Sequence, residues 1–174
     1  MKRQIQVFDY AGAILEQIGK GALLTTKSGE QVNTMTIGWG TLGIEWGKPI
    51  CTVFVRESRC TKKLLDENPE FTVNIPYGED AKKILALCGT KSGRNMDKIQ
   101  ELGLELEQGE TVSVPGIRQL PLTLECKVIY KQDQDPAAIN EENTSHYYPR
   151  TPEFPQGDYH TAYYGQITAA YIIE

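Results

Sequence analysis

The run Arg56-Glu57-Ser58-Arg59-Cys60-Thr61-Lys62-Lys63 joins an apolar stretch, Ile50 to Val55, to a segment with leucines at 64 and 65. A helix starting here has free N–H groups and the positive end of its macrodipole in the first turn, where Asp and Glu normally stand. Arg59, Lys62 and Lys63 stand there instead, with Arg56 just upstream and Glu57 as the counter-charge. Like charge at this position costs ~0.3–1 kcal/mol per group unless an anion is present. A phosphate would remove the conflict, accepting from the Ser58 and Thr61 hydroxyls, backbone N–H groups and a guanidinium. The alternative is a solvated basic turn whose long side chains point away.

Three further segments have chemistry-bearing residues at suggestive spacing. In Asn33-Thr34-Met35-Thr36-Ile37-Gly38-Trp39-Gly40, alternation places Asn33, Met35, Ile37 and Trp39 on one strand face and Thr34, Thr36 and Gly38 on the other. Amide, thioether, hydroxyl and indole groups beside bare glycine backbone suit a flat heteroaromatic ring; an edge strand with Trp39 in the core is the other reading. Gly89 and Gly93 flank Lys91-Ser92, an arrangement for a small anion nest, for a lysine held against a polar ring edge, or for a surface loop between helices. Neither GxGxxG nor GK[ST] occurs in this segment. Gly157-Asp158-Tyr159-His160 sets a histidine near a carboxylate, either titrating around neutrality or serving as an ordinary loop histidine.

The chain that must position these residues has 174 residues, 40% of them hydrophobic and 24% charged, which predicts one globular domain over residues 1–174. Eighteen basic against 23 acidic residues give a net charge of −5 with no long basic run, which argues against nucleic acid as the main partner. The apolar run Ile167 to Ile173 is far short of the roughly 20 residues that span a bilayer, so no membrane association is expected. The N-terminus has no apolar h-region. Cys51, Cys60, Cys88 and Cys126 show no CxxC spacing and the histidines are only two, so no metal site is expected. Scattered thiols without a secretion signal read as reduced cysteines in a cytoplasmic protein.

The element pattern is rich in strands. Ala22 to Thr26, Gln31 to Trp39, Ile50 to Val55, Phe71 to Ile75, Leu104 to Glu107, Thr111 to Val114, Leu120 to Tyr130 and Tyr163 to Ile173 read as extended. Ser58 is the expected N-cap of a helix running to about Glu67 and stopped by Asn68-Pro69. Asp80 is the expected cap of a helix ending at Gly89, and a second short helix covers Asn95 to Leu102, closed by Gly103. Residues 133–157 hold four prolines and read as an irregular excursion near the surface. Many strands with short interposed helices predict a mainly β fold, a closed or nearly closed barrel with short flanking helices.

Taken together, Asn33-x-Met35-Thr36-x-x-Trp39, Val55-Arg56-x-x-Arg59-x-Thr61, Gly89-Thr90-Lys91-Ser92-Gly93-Arg94 with Asp97-Lys98, Leu124-Glu125-Cys126, and Gly157-Asp158-x-His160 before Gly165 resemble the flavin reductase-like family of FMN-binding split barrels, which includes flavoredoxins. The resemblance implies a six-stranded Greek-key split β-barrel, non-covalent FMN in preference to FAD, and a homodimer with sites near the subunit interface. By position it implies Asn33, Met35, Thr36 and Trp39 along the isoalloxazine and ribityl chain. Arg56, Ser58, Arg59 and Thr61 would hold the phosphate, Lys91 with Ser92 would approach the ring edge, and His160 would approach from the last strand. The chemistry would be flavin-centred, with Lys91 and His160 tuning it, NADH or NADPH as transient reductant, and a small molecule or protein as electron acceptor. An FMN-containing electron carrier with no nicotinamide site is the alternative. Tyr159 departs from the family's Gly-Asp-His, and the long excursion is expected to form a lid or dimer contact rather than touch the flavin.

Overall fold

A computed structural model describes residues 1–78 and 80–174. Strand β1 (Lys2–Gln4) is followed by a 3-10 turn and by helix α1 (Ala11–Lys20), whose Ile14 and Ile18 lie one turn apart and are both buried. Strands β2 (Ala22–Ser28) and β3 (Gln31–Ile37) form a hairpin in register Ala22 to Ile37, with Gly29 at φ 55° opening the loop. The chain leaves the sheet at Gly38-Trp39 and returns as a hairpin of β4 (Gly40–Glu45) and β5 (Lys48–Arg56). Its two loop residues, Trp46 and Gly47, have φ of 52° and 68°, the left-handed pair that matches strand twist. Then come α2 (Cys60–Glu67), β6 (Glu70–Ile75), α3 (Lys82–Thr90) and α4 (Lys98–Leu102). The two-residue strands β7 (Leu106–Glu107) and β8 (Gly116–Ile117) pair only with each other. Strand β9 (Leu122–Asp133), α5 (Glu141–Tyr147) and β10 (His160–Ile173) complete the order.

The main sheet runs β3-β2-β6-β9-β10-β5-β4, antiparallel throughout. The fold is mainly β, a split barrel with a few flanking helices. It is larger than the six strands expected. Strand β10 is long enough that β5 takes only His160 to Gln166 along one edge, leaving Tyr171 to Ile173 for β1. The barrel interior packs Leu24, Val53, Val55, Phe71, Val73, Leu124 and Tyr163. A second core lies under α3 and α4, where Leu23 meets Cys88, Leu104 and Ile117. Leu23 and Leu24 therefore serve opposite faces of β2, as the period of two requires. Among the described residues, no helix is long and apolar enough to cross a membrane.

Several element boundaries differ from the sequence reading. Thr111 to Val114 is not a strand. The buried Glu125 carboxylate accepts from the Glu110 and Thr111 N–H groups at 2.8 and 2.6 Å and from the Tyr171 phenol at 2.7 Å, which bends this segment onto β9. Those donors hold the Glu125 pKa down although burial pushes it up. Helix α4 starts at Lys98 rather than Asn95, because the Asp97 carboxylate caps the Gln100 N–H. Asp80 accepts from the Lys82 N–H, but Ala81 occupies the N-cap position. The excursion is not wholly irregular: Asn140 accepts from the Asn143 N–H and starts α5. Strand β10 begins three residues earlier than Tyr163.

Gly165 sits in β10 between Cys51 of β5 and Val128 of β9, beside a register shift. A Cβ here would overlap the Phe71 ring and lie 2.8 Å from the Cys126 Cβ. Overpacking of this kind costs about 1–3 kcal/mol. Gly165→Ala is therefore expected to lower the urea midpoint, whereas Gly12→Ala in α1, whose new methyl meets nothing within 4 Å, leaves it unchanged or raises it.

Candidate functional site

The end of β5, the start of α2 and the start of β10 meet at one point, because His160 pairs in register with Arg56. The Arg56 guanidinium donates through Nη1 to the Asp158 carbonyl at 2.7 Å and through Nη2 to the Tyr147 carbonyl at 3.0 Å. It also lies 5.2 Å from the centroid of the Tyr148 ring. The Asp158 carboxylate accepts from the Ser58 N–H at 3.1 Å and from the Ser58 hydroxyl at 2.6 Å. Ser58 is consequently not the N-cap of α2; Arg59 takes that position with extended backbone and makes no capping bond with its side chain. Lys62 pairs with Asp66 and Glu57, and Lys63 with Glu67, so both turn away from the junction. Arg59 remains exposed without a carboxylate partner among the described residues, and the Cys60 and Thr61 N–H groups find no acceptor among them.

Around this point the other expected residues gather. Asn33 donates to the buried Thr61 hydroxyl oxygen at 2.9 Å. Gly93 lies so close to Asn33 that any Cβ would overlap its carboxamide, which draws the Lys91-Ser92 loop onto β3. Thr36 donates to the Leu85 carbonyl at 2.6 Å. Trp39 lies outside the strand and outside the core, 40% exposed, with its ring 5.0 Å from His160 and 4.9 Å from Tyr147. A cleft of about 700 Å³ is bounded by Asn33, Met35, Arg59, Thr61, Lys91 and Ser92. Arg56 and Ser58 line it as well. An adjoining pocket of about 170 Å³ shares Met35, Arg56 and Arg59 with it and adds Thr36, Trp39 and His160. Every residue that the family resemblance assigns to the cofactor thus lines one of two adjoining hollows, whereas Lys62 and Lys63 line neither.

The excursion lines the larger cleft through Tyr147, Tyr148 and Phe154, a place that suits a lid, and Asp158 just beyond it lines the cleft as well. The return of the excursion is dictated by the Arg56 bonds. His160 is neither a titrating nor a free loop histidine. It is 8% exposed, and burial, reinforced by the Arg56 cation, pushes its pKa down to about 4 against the opposing pull of Asp158. The ring is therefore neutral near pH 7. Its Nδ1 lies 2.8 Å from the Tyr148 hydroxyl.

Lys98, the second residue of the Asp97-Lys98 pair, has a role that its sequence setting does not reveal. It is 4% exposed, and its ammonium donates to the Thr34 carbonyl at 2.9 Å and the Cys88 carbonyl at 3.2 Å. Burial lowers its pKa and nearby Arg59 adds to the effect, against a raising influence of Cys88. No carboxylate among the described residues pairs with it. A lysine opening a short, capped helix normally faces water, so only tertiary packing reveals it. The two hollows thus share Arg59 and the Met35 thioether; the larger adds Lys91, Lys98 and free N–H groups, the smaller an indole and an imidazole. Such a site suits an elongated ligand with an anion at one end and a flat ring at the other.

A family model described as the flavin reductase like domain matches residues 19–174. An uncharacterised protein from Archaeoglobus fulgidus is 33% identical over 100 residues, covering 58% of this chain and 55% of its own length. The match therefore spans little more than half of that relative. Among solved structures, the flavoredoxin from Methanosarcina acetivorans has a TM-score of 0.66 at 27% identity, covering 88% of this chain and 68% of that one. The flavoredoxin of Desulfovibrio vulgaris (Miyazaki F) has a TM-score of 0.67 at 23% identity, covering 88% and 69%.

The depressed His160 pKa makes a pH prediction. The unfolded imidazole, at its ordinary value of about 6.5, takes up a proton before the folded one does. The stability this residue contributes is complete above pH 6.5 and is lost as pH falls toward the folded value of about 4. Urea midpoints compared at steps across that window should fall more steeply for the wild-type chain than for His160→Gln.

Proposed function

Because this chain belongs to the flavin reductase like domain family, we propose that residues 1–174 act as one FMN-binding oxidoreductase domain in which reduced nicotinamide delivers electrons for onward transfer. The observation that carries this reading is the pairing of two adjoining hollows: Lys91, Lys98 and free N–H groups in one, Trp39 and His160 in the other, with Arg59 and Met35 common to both. The residues fit FMN. The cleft volume of about 700 Å³ falls in the range of small-molecule sites. The buried Lys98 ammonium, held by two carbonyls only, gains from an anion nearby.

Arg59, the Cys60 and Thr61 N–H groups, Lys91 and Ser92 would hold the phosphate end. Arg56 and Ser58 support it through Asp158. Asn33, Met35 and Thr36 would flank the ribityl chain and ring, with Trp39 and His160 closing the ring end. When bound, FMN supplies the hydride and electron chemistry, accepting from NADH or NADPH and reducing a small-molecule or protein acceptor. The chain's own contribution is to orient the two rings and exclude water. An apolar hollow of about 400 Å³, walled by Leu15, Ile18, Trp39 and Phe54, adjoins the ring end and offers room for a second planar group. A homodimer belongs to the same proposal: Ile44, Trp46 and Tyr130 expose apolar surface around the edge strand β4.

The likeness to a flavoredoxin at 27% identity, with the net charge of −5, supports a second reading as an FMN electron carrier docking a basic redox partner. A visible spectrum of the purified protein, FMN titration, and anaerobic addition of NADH and then NADPH separate the two. Bleaching by either nucleotide is the expected result; a flavin spectrum that persists favours the carrier; no flavin uptake overturns both.

Arg59→Ala removes an exposed, unpaired cation and should leave the urea midpoint unchanged. A lost charge-assisted hydrogen bond costs about 1.5–3 kcal/mol, so FMN should bind at least tenfold more weakly by fluorescence titration. Equal affinity would remove Arg59 from the phosphate site.

A further inference from the structure

Tyr148 belongs to the excursion and has no part in the reading of the sequence. Its phenol is 5% exposed, and the sole hydrogen-bond partner it meets at close range among the described residues is His160 Nδ1, at 2.8 Å. A buried O–H needs an acceptor. His160 Nδ1 is the acceptor within its reach among the described residues, so the phenol directs its single proton there. Gln134 fixes the backbone of the same histidine: its side-chain carbonyl oxygen accepts the His160 backbone N–H at 3.1 Å, while its own backbone N–H donates to the His160 carbonyl at 3.0 Å.

We infer that Tyr148 locks His160 in the tautomer that carries its proton on Nε2, so that the ring presents an N–H donor to the hollow it lines. The uncharged imidazole has one proton, and Nδ1 is the acceptor. Nε2 has no partner among the described residues, and the ring forms part of the wall of the hollow shared with Met35 and Trp39. The group it would meet is an sp² acceptor atom on the edge of a planar ligand, whose identity as flavin or nicotinamide rests on the function proposed above. Tyr148 and Gln134 are positioning residues, since neither acts except through His160. The structure also gives Tyr159 a purpose. This residue, which interrupts Gly-Asp-His, stacks on Tyr148 at 4.6 Å and 22° and holds the phenol in line.

The test is a long-range proton–nitrogen correlation spectrum of the full chain with ¹⁵N-labelled imidazoles near neutral pH, with His146→Gln identifying which signals are His160. The expected pattern is an unprotonated Nδ1 and a protonated Nε2 in the wild-type chain, collapsing to an average of both tautomers in Tyr148→Phe. A protonated Nδ1 in the wild type, or an unchanged pattern in Tyr148→Phe, overturns the inference; the wild-type spectrum decides even if the variant does not fold. Adding FMN should move the Nε2 signal, and a chain that becomes flavin-loaded while that signal stays fixed overturns the assignment to the hollow. A chain that takes up no flavin contradicts the proposed function, while the tautomer is still decided by the first spectrum.

Discussion

The guanidinium of Arg56 is the tie on which the site depends. Two of its N–H groups reach carbonyls on a distant stretch of chain, at Tyr147 and Asp158, and its plane lies near the Tyr148 ring. Charge-assisted bonds of this kind contribute roughly 1.5–3 kcal/mol each. Their geometry decides where the excursion turns back, and so where the Asp158 carboxylate, the Tyr148 phenol and the first residue of β10 come to lie. Arg56 itself is placed by a strand ladder, not by a loop, so the tie has a rigid anchor in the barrel.

The cleft is electrostatically divided because burial treats its basic groups differently. His160 meets Arg56 and a phenol and stays neutral, whereas Lys98 has two carbonyls to solvate its ammonium. Lys62 and Lys63 are neutralised along α2 and leave Arg59 to face the opening. Cationic character thus rests on Arg59, which both hollows share, and on Lys91 and Lys98 in the larger one, while Trp39 and His160 belong to the smaller.

How much of this was legible in the residues depended on the range of the interaction. The hairpin of β2 and β3, the β5 strand, the α2 helix and the grouping of Asn33, Met35, Arg59, Thr61 and Lys91 all follow from local pattern, turn chemistry and family likeness. The N-terminal helix has its Ile14–Ile18 spacing in plain view but went unread, as did the β4 hairpin, whose loop carries a Trp rather than Asn at a left-handed position. Thr111 to Val114 looked extended because its residues favour strands, yet Glu125, far along the chain, takes the N–H groups that a ladder would need. Lys98 and Tyr148 were invisible for the same reason: each acquires its role from partners that are remote in sequence, and neither residue type announces burial.

The excursion is tethered at its base, where Asp133 of β9 pairs with Thr161 of β10. The ladder has already brought the two ends of this loop together, so the entropy of closure is set mainly by its length, and doubling that length would add only about 0.6 kcal/mol. A fold built this way lets one wall of the cleft be lengthened, shortened or exchanged while the barrel that carries the other stays fixed.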